Sequence, residues 1–291
     1  NSATGSAYDN VAVGGYSMQE LTSSTENTAV GKQTLNQLTT GGNNVAFGYS
    51  AGINATTSSG NAYIGYKAGY RVTTPAANTI IGWKAGYNVT TGGLNTFLGY
   101  ETGQGNPNPA ITGSSNTGIG SRALKSLTSG SNNTAIGLNA GDSITSGENN
   151  IVIGKNADAS TATIINQITL GDSSISSFRC QVQTISSLSD VRDKTDITPL
   201  QAGLDFVERL DPVSFTWNMR DGGKVGIEET GFIAQDLQQV QEDTGVEIPG
   251  LVSDDNPERL EAAYGKLVPV LVQAIKDLSA KVNELEAQIN S

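Results

Sequence analysis

The chain has 291 residues, no histidine, one cysteine (Cys180) and a formal net charge of -11. Without histidine and with one thiol it cannot build zinc sites, Cys-His nucleophiles, Ser-His-Asp triads or an intramolecular disulfide, so any catalysis must use Ser, Lys, Asp, Glu or Tyr, and no metal or cofactor is expected. Residues 1–188 carry 8 acidic and 8 basic residues and residues 189–291 carry 20 and 9; neither part has the basic stripe that displaces counterions from a phosphate backbone, which excludes nucleic acid as a ligand.

The start, NSATGS, has neither a basic n-region nor an apolar h-region, and no apolar run approaches a bilayer span. The chain is expected to be soluble with no membrane insertion and, lacking an initiator Met, to be a fragment. A motif Asn-x-x-apolar-Gly then recurs nine times, its glycines at Gly14, Gly31, Gly48, Gly65, Gly82, Gly99, Gly120, Gly137 and Gly154, 17 residues apart except for one step of 21 after Gly99. Asparagine stands four positions before each, as in Asn44 with Gly48, Asn61 with Gly65 and Asn78 with Gly82. The alternation after each asparagine predicts a short strand. The glycine implies a corner with positive φ or with no room for a Cβ, and the asparagine suits the same corner through side-chain bonds to the backbone. One repeat is thus one coil or layer of a β-solenoid or triple β-prism, spanning residues 1–159.

A single layer offers one large apolar residue and a few small ones to bury, too little to offset ordering costs on the order of 1–2 kcal/mol per residue. Stacking, and association of three chains, must supply the core. The extra residues around Gln104–Ile111 predict a loop on one face of the stack, either a spacer or a binding loop. Tyr66, Tyr70, Trp83, Tyr87 and Tyr100 recur near the corners, either to stack on sugar rings or to cover the outer surface. Residues 160–188 predict a last β-rich stem, with Cys180 as a small core residue.

Residues 189–291 predict an α+β domain: a helix over Pro199–Leu210, a strand over 213–218, a Gly-Gly turn at 222–223, and a strand entering a short helix over 231–241. Tyr264, Val268, Leu271, Ile275, Leu278, Val282, Leu285 and Ile289 then follow a 4-3 spacing, a heptad seam whose mixed aliphatics permit three strands. The same spacing also describes one amphipathic helix packed on its own domain. Pro269 is tolerated only near that helix's first turn or at a kink.

Three segments, SDVRDKTDITPL at 189–200, GFIAQDL at 231–237 and YGKLVPVLVQAIKDL at 264–278, resemble in order and spacing the endosialidase-type intramolecular chaperones, self-cleaving domains at the C-termini of phage tail spikes and fibres. The repeats resemble the heads of trimeric adhesins and phage fibre shafts. The resemblance implies a homotrimeric chaperone that templates an upstream fibre and then cuts itself off. It assigns a serine-lysine dyad to Ser189 and Lys194, places Asp190 beside it, and puts the cut between Leu188 and Ser189.

A serine hydroxyl needs a base, which a desolvated lysine can supply. Residues five apart on an α-helix lie about 140° out of line, so this pair must meet in a turn or between chains. The expected function is a virion fibre that binds a host cell-surface receptor, a glycan or an outer-surface protein, joins other tail proteins at its N-terminal end, and assembles in the host cytoplasm. The competing readings are a polysaccharide-degrading spike, which needs a pair of carboxylates that residues 1–188 offer only as scattered acids, and a bacterial trimeric adhesin, which would end in a membrane-anchor barrel. A membrane-bound transcription factor with a related domain lacks support from any basic domain or span.

Overall fold

The computed structural model describes residues 7–105, 110–181 and 187–290. Two compact units emerge, Asn1–Ser174 and Ile175–Ser291. The first contains ten three-residue strands: β1 Val11–Val13, β2 Thr28–Val30, β3 Val45–Phe47, β4 Ala62–Ile64, β5 Thr79–Ile81, β6 Thr96–Leu98, β7 Thr117–Ile119, β8 Thr134–Ile136, β9 Ile151–Ile153 and β10 Ile168–Leu170. They form one parallel sheet in chain order. Thr28 pairs with Val45, 17 residues on, and Thr96 with Thr117 across the longer step. Because every strand pairs with the next strand of its own chain, the unit is a parallel β-solenoid, and the interwound prism is set aside. The tenth coil was hidden in the sequence because Gln167 replaces the asparagine, although Gly171 keeps the 17-residue step.

Side-chain alternation sends the middle residue of each strand inward, so Ala46, Tyr63, Ile80, Phe97, Ala135 and Val152 fill the coil interior. A second row completes that core, with Leu35 and Leu38 in one coil and Leu124 and Leu127 in another. Small and large residues compensate between coils: the Tyr63 ring fills the space beside Gly52 and Gly69, where an added Cβ would collide with it. The apolar residue just before each corner glycine faces outward instead, with Phe47, Leu98 and Ile153 about 40% exposed.

The corner glycines need glycine on both expected grounds. Gly48, Gly65 and Gly82 have φ of +127°, +131° and +139°, and a Cβ at each would overlap the carbonyl of the corresponding glycine one coil on. The asparagines correct the expectation of a shared corner. Asn44, Asn61 and Asn78 lie at the other end of the strand, buried, and bond between coils rather than within a turn. The Asn44 backbone N–H and side-chain Nδ2 both donate to Asn27 Oδ1, at 3.0 and 2.9 Å, while Nδ2 also donates to the Ser58 carbonyl at 2.8 Å. The pattern repeats up the stack until Gln167 N–H donates to Asn150 Oδ1 at 2.9 Å. A column of self-complementary carboxamides thereby satisfies backbone donors that would otherwise be buried unpaired.

Among the described residues from Ile175 to Asp190 the second unit forms no strand. Cys180 is exposed there, which corrects its expected place in a core. The helix expected over Pro199–Leu210 contracts to α1, Leu204–Val207, because Gly203 is non-helical at its N-cap. Strand β11, Val213–Asn218, pairs antiparallel with β12, Val225–Gly231, and α2 follows at Ala234–Thr244. A short pair, β13 Val252–Ser253 with β14 Glu261–Ala262, leads to α3, Leu267–Ile289. Ala202, Phe206, Leu237, Val240, Leu251, Leu267 and Val270 form the core of this unit. Pro269 sits in the first turn of α3, where its missing N–H costs nothing. No described helix is long and apolar enough to cross a membrane.

Candidate active site

Ser189 and Lys194 flank a single 3-10 turn, Val191–Asp193. Asp190 starts that turn: its backbone is extended, its carboxylate accepts the Arg192 N–H at 2.9 Å, and its carbonyl accepts the Asp193 N–H at 3.2 Å. Lys194 ends it, returning to extended backbone while its N–H donates to the Val191 carbonyl at 3.2 Å. Folding back over three residues per turn brings together residues that an α-helix would separate. Lys194 Nζ donates to Ser189 Oγ at 2.6 Å and to the Ser189 carbonyl at 3.3 Å. Of the two arrangements open to the pair, the single chain adopts the turn.

Asp190 contacts neither partner's reactive atom. Its carboxylate is gripped by Arg192, with Nε at 3.0 and 3.1 Å and Nη2 at 2.6 Å. The Arg192 side chain and N–H hold the Asp190 carboxyl below the usual carboxylate range. Arg192 is the residue that sequence reasoning missed; its signal was the Asp-x-Arg spacing in a segment with no helical or strand periodicity. Ser189, Lys194 and Leu188 are all exposed, Leu188 at 96%.

The other two motifs meet each other. Tyr264 Oη donates to the Phe232 carbonyl at 2.9 Å and accepts the Phe232 N–H at 3.1 Å. Gly231 has no room for a Cβ because Tyr264 lies against it. Tyr264 therefore precedes α3 and serves as a clamp rather than the first seam residue. Asp277 accepts the Leu204 N–H at 3.0 Å and so caps α1. Val268, Leu271, Ile275, Leu278, Val282, Leu285 and Ile289 are all exposed, whereas the domain core takes Leu267, Val270 and Ala274 from α3. The seam thus lies on a face that its own domain leaves uncovered.

In the solenoid, Tyr49, Tyr66, Trp83 and Tyr100 stack in one column, centroids 4.9–5.8 Å apart, and Tyr70 stacks on Tyr87 at 4.9 Å. Their ring faces are occupied by each other, which opposes the expectation of sugar stacking on those faces. Half of the inserted loop, residues 106–109, lies outside the described residues, but Ile111 is buried and bridges Val89. The acids of the solenoid are not all isolated. Burial pushes the Asp158 carboxyl up, the Ser143 hydroxyl and the Ala159 N–H at 2.9 Å oppose that, and Asp142 adds to it. Among the described residues no cluster of three metal-ligating side chains exists.

Residues 189–246 match the family described as "Chaperone of endosialidase", a peptidase family. The chain is 32% identical over 105 residues to the long tail fiber protein Gp37 of Enterobacteria phage K3 and, equally, to that of phage T2. The match covers 35% of this chain but only 8% and 7% of those relatives. No solved structure matches.

Proposed function

We propose that the chain is part of a homotrimeric virion tail fibre whose C-terminal domain aligns three copies and then releases itself by cutting between Leu188 and Ser189. The observation that carries this reading is the 2.6 Å contact of Lys194 Nζ with Ser189 Oγ, on the residue that follows the scissile bond and opens the matched segment. The kinship to long tail fibre proteins supports a place in the virion tail, assembly in the host cytoplasm, attachment to other tail proteins and contact with a host receptor. Two exposed apolar rows support self-association: the outward strand residues of the solenoid and the seam of α3.

In the reaction, Lys194 in its neutral form takes the Ser189 hydroxyl proton. When Oγ attacks the Leu188 carbonyl carbon, the C–N bond to Ser189 breaks, the amine takes a proton, and an ester remains. Water then cleaves the ester, leaving a Leu188 carboxylate and a free Ser189 amine. A lysine is neutral near pH 7 only when desolvated. Both side chains are exposed in the single chain, so a neighbouring copy that covers the turn would switch the site on, tying cleavage to assembly.

Intact mass and native oligomer size test both halves together. Wild type should give trimers and fragments 1–188 and 189–291. Ser189→Ala and Lys194→Ala should give uncut 291-residue trimers. Ile275→Asp, which buries a charge in the seam, should lose both trimer and cut. Cleavage of either dyad variant at the wild-type rate refutes the dyad, and cleavage of monomeric I275D refutes the coupling.

A further inference from the structure

The most distinctive surface outside the cleavage turn is a ribbon on two adjacent coils, made of Tyr66, Lys67, Tyr70, Trp83, Lys84 and Tyr87. Two aromatic columns form its walls, Tyr66 on Trp83 and Tyr70 on Tyr87. A lysine lies between the walls in each coil: Lys67 Nζ is 5.4 Å from the Tyr66 ring centre and 5.0 Å from that of Tyr70, and Lys84 Nζ is 4.3 Å from Trp83 and 5.9 Å from Tyr87. The ring faces within each column are turned to one another, so an incoming molecule meets rims, phenolic hydroxyls and ammonium groups.

The repeat supplies its own control for what the fold requires. At the position that follows the corner glycine, other coils hold Lys32, Ser121, Leu138 and Lys155; at the position of Tyr70 and Tyr87 they hold Asn36, Lys125 and Asp142. A coil therefore closes without aromatic walls, and their clustering needs a reason other than folding. Charge points the same way. No acidic residue occurs from Asn27 to Tyr100, and neither Lys67 nor Lys84 forms a salt bridge among the described residues. The same row does carry a pair further along, where Arg122 Nε meets Glu101 at 3.2 Å. Two lysines stand on backbones about 4.8 Å apart, the ordinary strand spacing, and repel until an anion lies between them. The flanking rings attract the ammonium groups and hold them in place between the walls.

We infer that this ribbon is a binding site for an anionic saccharide, its carboxylate or phosphate bridging Lys67 and Lys84 while sugar hydroxyls meet the tyrosine hydroxyls. This deepens the fibre reading by naming the part of the shaft that would meet the host surface, and it rests on that reading only for its biological purpose.

The test uses the full chain with Trp217→Phe, which leaves Trp83 as the only tryptophan. Oligogalacturonate as the carboxylate probe, a phosphorylated mannan as the phosphate probe and neutral dextran are titrated while Trp83 fluorescence is followed. The expected result is saturable change with one or both anionic probes, weakened by salt, absent with dextran, and at least ten-fold weaker in Lys67→Gln/Lys84→Gln, whose melting is unchanged. The probe that binds identifies the anion. Equal binding by the Gln variant, equal binding of dextran, or no response to either anionic probe overturns the site. Oligomer size and cleavage measured on the same sample separate this failure from failure of the fibre reading.

Discussion

Replacing Asn61 by Ala removes the centre of the carboxamide column and leaves its neighbours in place. Asn61 Oδ1 accepts the Asn78 N–H at 2.9 Å, and Asn61 Nδ2 donates to Asn44 Oδ1 at 2.9 Å and to the Pro75 carbonyl at 3.1 Å. Asn44 Oδ1 keeps the Asn61 backbone N–H at 3.1 Å. Two buried groups, the Asn78 N–H and the Pro75 carbonyl, lose this partner. At about 1–3 kcal/mol each, the substitution should cost about 2–6 kcal/mol per chain. Asn10, at the first coil, makes the same kind of bond to the Asn27 N–H at 3.0 Å but is only half-buried. Water can replace it there, so Asn10→Ala should cost about 1 kcal/mol or less. Thermal unfolding followed by circular dichroism, with unfolding rates taken at several scan rates, compares the two variants with wild type. Equal effects of Asn61→Ala and Asn10→Ala, or an Asn61→Ala effect below about 0.5 kcal/mol, would refute the claim that the column satisfies the interior and is not simply a by-product of the repeat.

Gly82→Ala should prevent closure of its coil, since φ is +139° and the new methyl would overlap the Gly99 carbonyl, whereas Gly15→Ala meets nothing within 4 Å and should be neutral; soluble yield and proteolytic protection of the solenoid distinguish them. Asp158→Asn should stabilise the solenoid at neutral pH and flatten its pH dependence. The folded carboxyl titrates above its usual value because burial disfavours the charge. In wild type the folded state therefore holds its proton longer than the unfolded chain, and stability falls as pH rises from the unfolded value through the folded one. The Asn variant keeps an oxygen for the Ala159 N–H, and a melting curve of unchanged slope between pH 3 and 7 would count against this account.

The coil was legible because its constraints recur: a glycine fixed by both φ and backbone approach must return every 17 residues, and nine returns are hard to miss. Which side chains point inward was not stated by the motif, because the residue next to each glycine is apolar yet outward, and only the pairing register assigns faces. The asparagine's role escaped local reasoning since its partners are one coil away, a distance that turn chemistry does not contain. In the second unit the seam spacing was visible, while its exposure depends on Leu267 and Val270 taking the core side of α3. The Ser189–Lys194 approach followed from spacing only as a pair of alternatives. The choice of a turn depends on Asp190 and Arg192, whose mutual grip shapes the segment.

Pairing within one chain changes what an aligning domain must accomplish in the proposed trimer. Each coil's backbone hydrogen bonds are made to the adjacent coil of the same chain, 17 residues along or 21 at the longer step, so folding a coil requires no partner, and chains meet only through outward side chains. That outward row is nearly periodic: Ile64, Ile81, Leu98, Ile119, Ile136 and Ile153. Sliding one chain by a coil against another exchanges one aliphatic residue for another, a swap that typically costs under about 1.5 kcal/mol. It sacrifices fully only the contacts of the terminal coil, at roughly 1.5–3 kcal/mol per large apolar residue. A stack of ten similar coils therefore discriminates poorly between aligned and slipped neighbours, however stable each is. The seam of α3 has seven positions from Val268 to Ile289, so a slip of one heptad there forfeits two of them and separates the non-repeating domain that precedes it. Alignment information thus belongs to the part that does not repeat. Once ten coils have docked in register, sliding requires breaking all of their side-chain contacts together, and the aligning domain can be cut away without loss.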